Sequence, residues 1–350
     1  MIDIRNLSVE LGGFTLRDIN LKINHGEYFI VLGPTGSGKT VLLESIAGLN
    51  PCKNGEIWLG DKNITRLEPD ARKMSIVYQD HVLFPHLSVQ ENIVFGLKMR
   101  KEKQSDIKSK LNNVVHLLQL EQLLHRRPAT LSGGEKQKVA LARAIITGPE
   151  VLLLDEPLGA LDPETRENVQ RELKKLHASL SFTVLHVTHD FEEAVTMGER
   201  IAVIGGGNIK QIGTKEDVFR HPDSEFVARF VMARNIFTGI AAKRGDGFTS
   251  FKTGNNEFLT TVVMDGECRA SIRPEDILVS DKPIGNSAWN CFTAAVTGIT
   301  DKGSILHITA SLPPDLTCMV THHSFREMQL SIGMMVYLAF SPSSVHLFRE

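Results

Sequence analysis

No stretch of this 350-residue chain approaches the roughly 18 consecutive apolar residues of a membrane-spanning helix. Apolar runs such as "VLLL" from Val151 and "MMVYLAF" from Met334 have the length of strands. Any role at a membrane therefore requires partner subunits. Cysteine is scarce: Cys52, Cys268, Cys291 and Cys318 stand far apart without paired-ligand spacing. That argues against a zinc module and favours reduced thiols in a cytosolic setting. An excess of one charge is also missing. With 39 Lys and Arg against 41 Asp and Glu, the chain is not a broadly basic nucleic-acid binder. The opening "MIDIRNLSVEL" alternates apolar and polar residues and lacks the basic flank and apolar block of a signal peptide.

What is present is an ordinary globular composition, 42% hydrophobic and 23% charged, sufficient for two or three compact units. Residues 1–230 alternate strand-like segments ("YFIVLG", "EVLLLDEP", "FTVLHVTHD", "RIAVIGGG") with helical ones, the pattern of an α/β domain. Between about 84 and 135 the pattern becomes mainly helical, with "SDIKSKLNNVVHLLQL" amphipathic at helical spacing, and reads as a helical insert. From 231 to 350 helical periodicity disappears and short strands are broken by "RGDG", "TGNN", "MDGE" and "SLPPD". Within this all-β region "ARNIFTGIA" at Ala233 recurs loosely as "AWNCFTAAV" at Ala288, which predicts two related β-units in tandem.

The segment "GPTGSGKT", Gly33 to Thr40, follows an apolar strand and opens the helix "TVLLESIAGL", the context a phosphate-binding loop needs. Gly33, Gly36 and Gly38 let the backbone curl so that several N–H groups face an anion, with Pro34, Thr35, Ser37 and Val41 as further nucleotide-binding candidates in and beside the loop. Lys39 adds a cation, and the Thr40 hydroxyl suits Mg²⁺. Farther on, "VLLLDEP" ends an apolar strand in two acids, costly unless a metal or a reacting water faces them. Asp155 suits a Mg²⁺ shell, and Glu156 is placed to polarise a water for attack on a γ-phosphate. His189, closing "VLHVTHD", reads with them as a γ-phosphate sensor. A second glycine-rich helix start, "LSGGEK" with Ser132, Gly133 and Gly134, is predicted to present unpaired amides to a phosphate.

In order along the chain, "GPTGSGKT", Gln79 in "IVYQD", "LSGGEKQKVALARA", "VLLLDEP", "GALD" and "VTHD" resemble the motifs of ABC-transporter ATPases over residues 1–230. The resemblance implies a P-loop ABC ATPase domain with a helical subdomain, followed by a C-terminal all-β domain of two OB-like units. It implies ATP and Mg²⁺ as cofactors, Gln79 reaching Mg²⁺ and reporting to a membrane partner, and Asp162 communicating across a homodimer. In that dimer the "LSGGE" loop of one protomer closes over ATP held by the other. The family's usual adenine-stacking aromatic is replaced here by Leu11, and Phe14 is the substitute.

The interval between phosphate loop and signature carries no long coiled coil or cysteine pairs, the chain has one cassette, and no span is fused to it. A DNA-repair ATPase, a translation factor and a fused exporter are thereby disfavoured, and an importer subunit remains, with a soluble regulatory ATPase as the rival. The tail, with "ASIRPEDILV", "SAWNCFTAAVTGI" and "THHSFREMQLSIGMMVYLAFSPSSVHL", resembles that of importers serving sugars, polyamines, iron and oxyanions, most closely the molybdate/tungstate importer ATPases. The resemblance implies a cytoplasmic-face subunit, two integral-membrane permease subunits docking near Phe84, Pro85 and His86, and an extracytoplasmic oxyanion-binding protein. It leaves open a tail that binds molybdate or tungstate and a tail that is only a dimerising module. His322, His323 and Ser341 stand where relatives often carry basic residues. Sulfate, iron, polyamine and sugar remain alternative solutes.

Overall fold

The computed structural model describes residues 1–231, 234–285 and 290–349, in two compact units, Met1–Lys215 and Glu216–Glu350. Ala233, Ala288 and Trp289, which open the two repeated segments, lie outside the described residues.

In the first unit β1 (Ile2–Leu11), β2 (Phe14–Ile23), β3 (Tyr28–Leu32), α1 (Lys39–Ala47), β4 (Asn54–Leu59), β5 (Lys62–Asn63) and β6 (Met74–Val77) come first. Three helices follow, α2 (Val89–Met99), α3 (Gln104–Leu118) and α4 (Gly133–Ile145). Then come β7 (Val151–Asp155), α5 (Pro163–Leu180), β8 (Thr183–Thr188), α6 (Phe191–Met197), β9 (Arg200–Gly205) and β10 (Asn208–Thr214). The strands form an antiparallel sheet, β2-β1-β4-β5, and a six-stranded sheet, β10-β9-β3-β8-β7-β6, parallel except for β10.

Strands β3, β7 and β8 are buried at every residue, which accounts for their unbroken apolar character in a parallel sheet covered on both faces. Leu42, Leu43 and Ile46 of α1 share one core with Ile2, Ile4 and Leu7 of the antiparallel sheet and Val151, Leu153, Leu185 and Val187 of the parallel one. The helix that follows the phosphate loop is thus held from two sides. Arg72 closes its far end, donating to the carbonyls of Ser45 and Ile46 at 3.0 and 2.9 Å.

The second unit begins with two short helices, α7 (Lys215–Arg220) and α8 (Glu225–Phe230). Next come β11 (Asn235–Lys243), β12 (Thr249–Thr253), β13 (Asn256–Thr260), β14 (Gly266–Ile272), β15 (Leu278–Ser280), β16 (Asn290–Asp301), β17 (Ile305–Ser311) and β18 (Leu316–Thr321). A short helix, α9 (His322–Glu327), precedes β19 (Met335–Phe340) and β20 (His346–Phe348). The sheets run β13-β12-β11-β14-β20 and β15-β19-β16-β17-β18. The two halves therefore repeat strand for strand, but each donates its fifth strand to the other. β15 follows the "RPED" turn and pairs with β19, and β20 follows the equivalent "SPSS" turn and pairs with β14.

The repeated asparagines seal this exchange. Asn235 donates to the carbonyls of Ile272 and Thr317 and accepts from the Thr317 amide, while Asn290 accepts from the Leu259 amide and returns a bond to its carbonyl. Each side chain satisfies backbone groups of a strand in the other sheet. A shared aromatic centre fills the interior: the Phe258 ring lies 5.8, 5.4 and 5.5 Å from those of Phe237, Phe292 and Phe340. Against the all-β expectation, α9 is helical because Thr321 caps it through the Ser324 amide, which puts His322 and His323 on a helix start.

Candidate functional site

The loop between β3 and α1 turns on two left-handed glycines, Gly36 at φ 79° and Gly38 at φ 100°. A side chain at either would be strained. Gly33 is held to glycine by space as well, since a Cβ there would lie 2.5 Å from the Ile204 carbonyl oxygen. The start of α1 has no side-chain cap and no acidic residue in its first turn, whereas Ser88, Ser132, Asp162 and Asp190 cap α2, α4, α5 and α6. Its amides are left for an external anion. The Ser37 hydroxyl is buried without a protein partner, a donor turned into the same loop.

Lys39, 6% exposed, donates from Nζ to the carbonyls of Gly33 and Pro34 at 3.0 and 3.2 Å and stands 3.5 Å from Glu156 Oε1. Burial pulls its ammonium below the usual lysine range, against the pull of Glu156. Thr40 Oγ1 donates to Asp155 Oδ1 at 3.1 Å, so a hydroxyl and a carboxylate, both hard oxygen donors suited to Mg²⁺, meet at one point. Burial pushes the Asp155 carboxyl up. Glu156 has a left-handed backbone, φ 43°, with its amide bonded to the Val187 carbonyl at the end of β8. Its other carboxylate oxygen lies 3.0 Å from His189 Nδ1. Strain of this kind in a non-glycine residue persists only where surrounding contacts hold it.

Phe14, Thr35, Gly36, Gly38, Lys39, Thr40, Val41, Gln79, Asp155 and Glu156 line one cavity of about 510 Å³. Its wall away from the charged groups is apolar, formed by Val41 and by Phe14, whose ring edge packs against Gly38. Leu11 is 43% exposed at the end of β1.

Ser132, Gly133, Gly134 and Asp162 are not among that cavity's lining residues. The two glycines pack instead against residues on either side of Asp162: a Cβ on Gly134 would fall 2.4 Å from Thr165 Cγ2, and one on Gly133 3.4 Å from Leu161. Asp162 caps α5 through the Thr165 amide, and this bonding holds its carboxyl below the usual range. Ser132 and Glu135 form a capping box at 2.7 and 3.3 Å, leaving the amides of Gly133 and Gly134 outside it. The S-x-x-E spacing was a readable sign of this.

The docking candidates lie after Gln79. Pro85 and His86 are exposed, while Phe84 is half-buried against Phe95 at 4.5 Å and bonded through its backbone to Asn92. In the tail, His322 faces the Gly303 carbonyl at 2.9 Å, His323 stands 3.7 Å from Glu327, and Ser341 caps its own turn. Among side chains that sequence reasoning passed over is Arg143 of α4, which donates to two backbone carbonyls of the turn after Gln79. A backbone acceptor leaves no mark in sequence.

Residues 16–159 match the ABC transporter family and residues 286–347 the TOBE domain. The molybdate/tungstate import ATP-binding protein WtpC of Pyrococcus horikoshii is 41% identical over 349 residues, covering 99% of this chain and 100% of that protein. The chain belongs to the ATP-binding subunits of ABC importers. Its P-loop ABC fold with a β-rich TOBE domain agrees with the cassette expected from the motifs. WtpC of Thermococcus kodakarensis is 43% identical, covering 84% of this chain and 87% of that protein. A spermidine/putrescine import ATP-binding protein, PotA of Clostridium novyi, is 36% identical, covering 100% and 98%. Among solved structures, the dimeric post-hydrolysis state of the cassette MJ0796 bound to ADP and Pi is 30% identical with a TM-score of 0.55, covering 61% of this chain and 99% of that one.

Proposed function

We propose that this importer ATPase works as a homodimer on the cytoplasmic face of the membrane, coupling ATP binding and hydrolysis to uptake of molybdate or tungstate through two separate permease subunits. In this reading residues 1–230 are the motor, with its helical insert at about 84–135, and residues 231–350 are a regulatory β-domain. The observation that carries the choice of solute is the 41% identity to a molybdate/tungstate import ATP-binding protein along nearly the whole of both chains. Polyamine uptake is the second reading, favoured by the 36% identity to a spermidine/putrescine counterpart over a similar span.

The site residues divide the work. The uncapped start of α1, Ser37 and Lys39 hold the phosphates, and Thr40, Asp155 and Gln79 would hold Mg²⁺. When bound, Mg²⁺ neutralises charge that builds on the phosphate oxygens during transfer. Glu156 accepts a proton from the attacking water, and His189, 3.0 Å from that carboxylate, orients it and meets the γ-phosphate. Phe14 and Val41 offer the adenine an apolar wall. Ser132, Gly133 and Gly134 complete the site of the opposite protomer, and Asp162, beside them, transmits its closure. Phe84, Pro85 and His86 receive the permease, and an extracytoplasmic oxyanion-binding protein delivers the solute.

The test is uptake by the complete complex reconstituted in vesicles, with molybdate, tungstate, sulfate and spermidine offered separately. ATP-dependent uptake of molybdate or tungstate alone is the expected result. Uptake of spermidine alone would move the assignment to the second reading.

A further inference from the structure

The turn after Gln79 is built against its own preferences. His81 and Val82 are consecutive left-handed residues, at φ 60° and 39°. The segment "QDHVLFPH" supplies no glycine to ease either position, and Val82 is β-branched, a poor fit to that region. Two tight backbone bonds close the turn, His81 N to Tyr78 O at 3.0 Å and Val82 N to Asp80 O at 2.7 Å. Its outward carbonyls go to one guanidinium: Arg143 donates to Val82 O at 2.8 Å and to His81 O at 3.1 Å. The same group lies 5.4 Å over the ring of Phe84, and burial pulls its pKa below the usual arginine range.

Arg143 belongs to α4, the helix whose first turn carries Ser132, Gly133 and Gly134. One planar fork thus ties together the signature helix, the strained turn two residues beyond Gln79, and the aromatic of the proposed docking surface. A lysine could not reproduce this, because an ammonium lacks the rigid fork that spans two carbonyls.

We infer that Arg143 is a positioning residue for hydrolysis: by clamping the left-handed pair His81–Val82 to the signature helix, it sets where Gln79 stands in the nucleotide site. The inference rests on the ATPase reading of that site and on Gln79 acting in it.

The experiment is a double-mutant cycle on full-length protein, with ATP turnover measured for wild type, Arg143→Lys, Gln79→Ala and the pair. Arg143→Lys should lower kcat about 5- to 20-fold while changing the KM for ATP less than about twofold. In the Gln79→Ala background its further effect should shrink below about twofold, because a residue acting through Gln79 has nothing left to position. Val82→Gly, which takes the left-handed conformation without steric cost and keeps both carbonyls, should recover at least about threefold in kcat when added to Arg143→Lys. Losses that multiply across the cycle, or no recovery by Val82→Gly, would overturn the inference and leave Arg143 a packing residue. Wild-type turnover in Gln79→Ala alone would instead overturn the role given to Gln79, and the link through it.

Discussion

His189 Nδ1 lies 3.0 Å from Glu156 Oε2, and the opposite oxygen of the same carboxylate stands 3.5 Å from Lys39 Nζ. One carboxylate thus joins the residue after the phosphate-binding loop glycine to the end of β8. Its backbone at φ 43° aims it there.

Replacing Glu156 by Gln keeps the shape and removes the carboxylate proposed as the base. Turnover should fall on the order of 10²- to 10⁴-fold, the range general-base removal spans, while ATP binding persists and the nucleotide-bound dimer accumulates. Steady-state hydrolysis and size-exclusion chromatography with Mg-ATP measure the two halves. Wild-type turnover would remove Glu156 from its role.

Gly134 is glycine for reasons of space as well as any contact to nucleotide. Gly134→Ala puts a methyl 2.4 Å from Thr165 Cγ2 and should cost about 1–3 kcal/mol by overpacking. Thr165→Ser removes that methyl while keeping the hydroxyl beside Asp162, and should recover at least half of the cost in thermal unfolding. Turnover of the paired variant then reports on the signature loop freed of the packing defect.

Asn235 and Asn290 hold the exchanged halves of the tail by bonding backbone groups across them. Either Asn→Ala change leaves buried peptide groups unsatisfied and should destabilise the full chain by about 1–3 kcal/mol, read by denaturant unfolding. Near-zero loss for both would mean that water replaces them.

His346 is pushed from the ordinary 6.5 down to about 4, first by burial and then by His221 beside it. The unfolded chain takes up this proton below about pH 6.5, while the folded one resists until about pH 4. The stabilisation is therefore present above pH 6.5 and is lost as pH falls through that window. His346→Asn should flatten the decline in full-chain stability between pH 6.5 and 4. An unchanged slope would show that other groups dominate.

The geometry of the loop before α1 was legible because it is local. The φ > 0 glycines, the lysine and the hydroxyl of "GPTGSGKT" lie within eight consecutive residues, and the strand before them is apolar throughout. Asp155 and Glu156 were legible because two acids ending a buried strand demand a reason. The capping box at "LSGGE" is local too, its S-x-x-E spacing engaging the amides of Ser132 and Glu135 while those of Gly133 and Gly134 stay outside it. The repeat in the tail was visible as "ARN…" and "AWN…", but not its exchange of fifth strands. That depends on which edge each short strand pairs with, and a three-residue strand carries too little pattern to say.

Sequence by itself determined which residue types stand at each point along the chain: a glycine-rich loop with its lysine and hydroxyl, two acids ending a buried strand, a second glycine-rich helix start and the composition of two β-units. Only the tertiary structure decided which of these meet. It brought Lys39, Glu156 and His189 together, set Gly134 against Thr165, and gave the carbonyls of a glycine-free turn to Arg143. The physical reason is that these contacts join residues distant in sequence, several through backbone atoms every residue shares, so no side-chain pattern announces them.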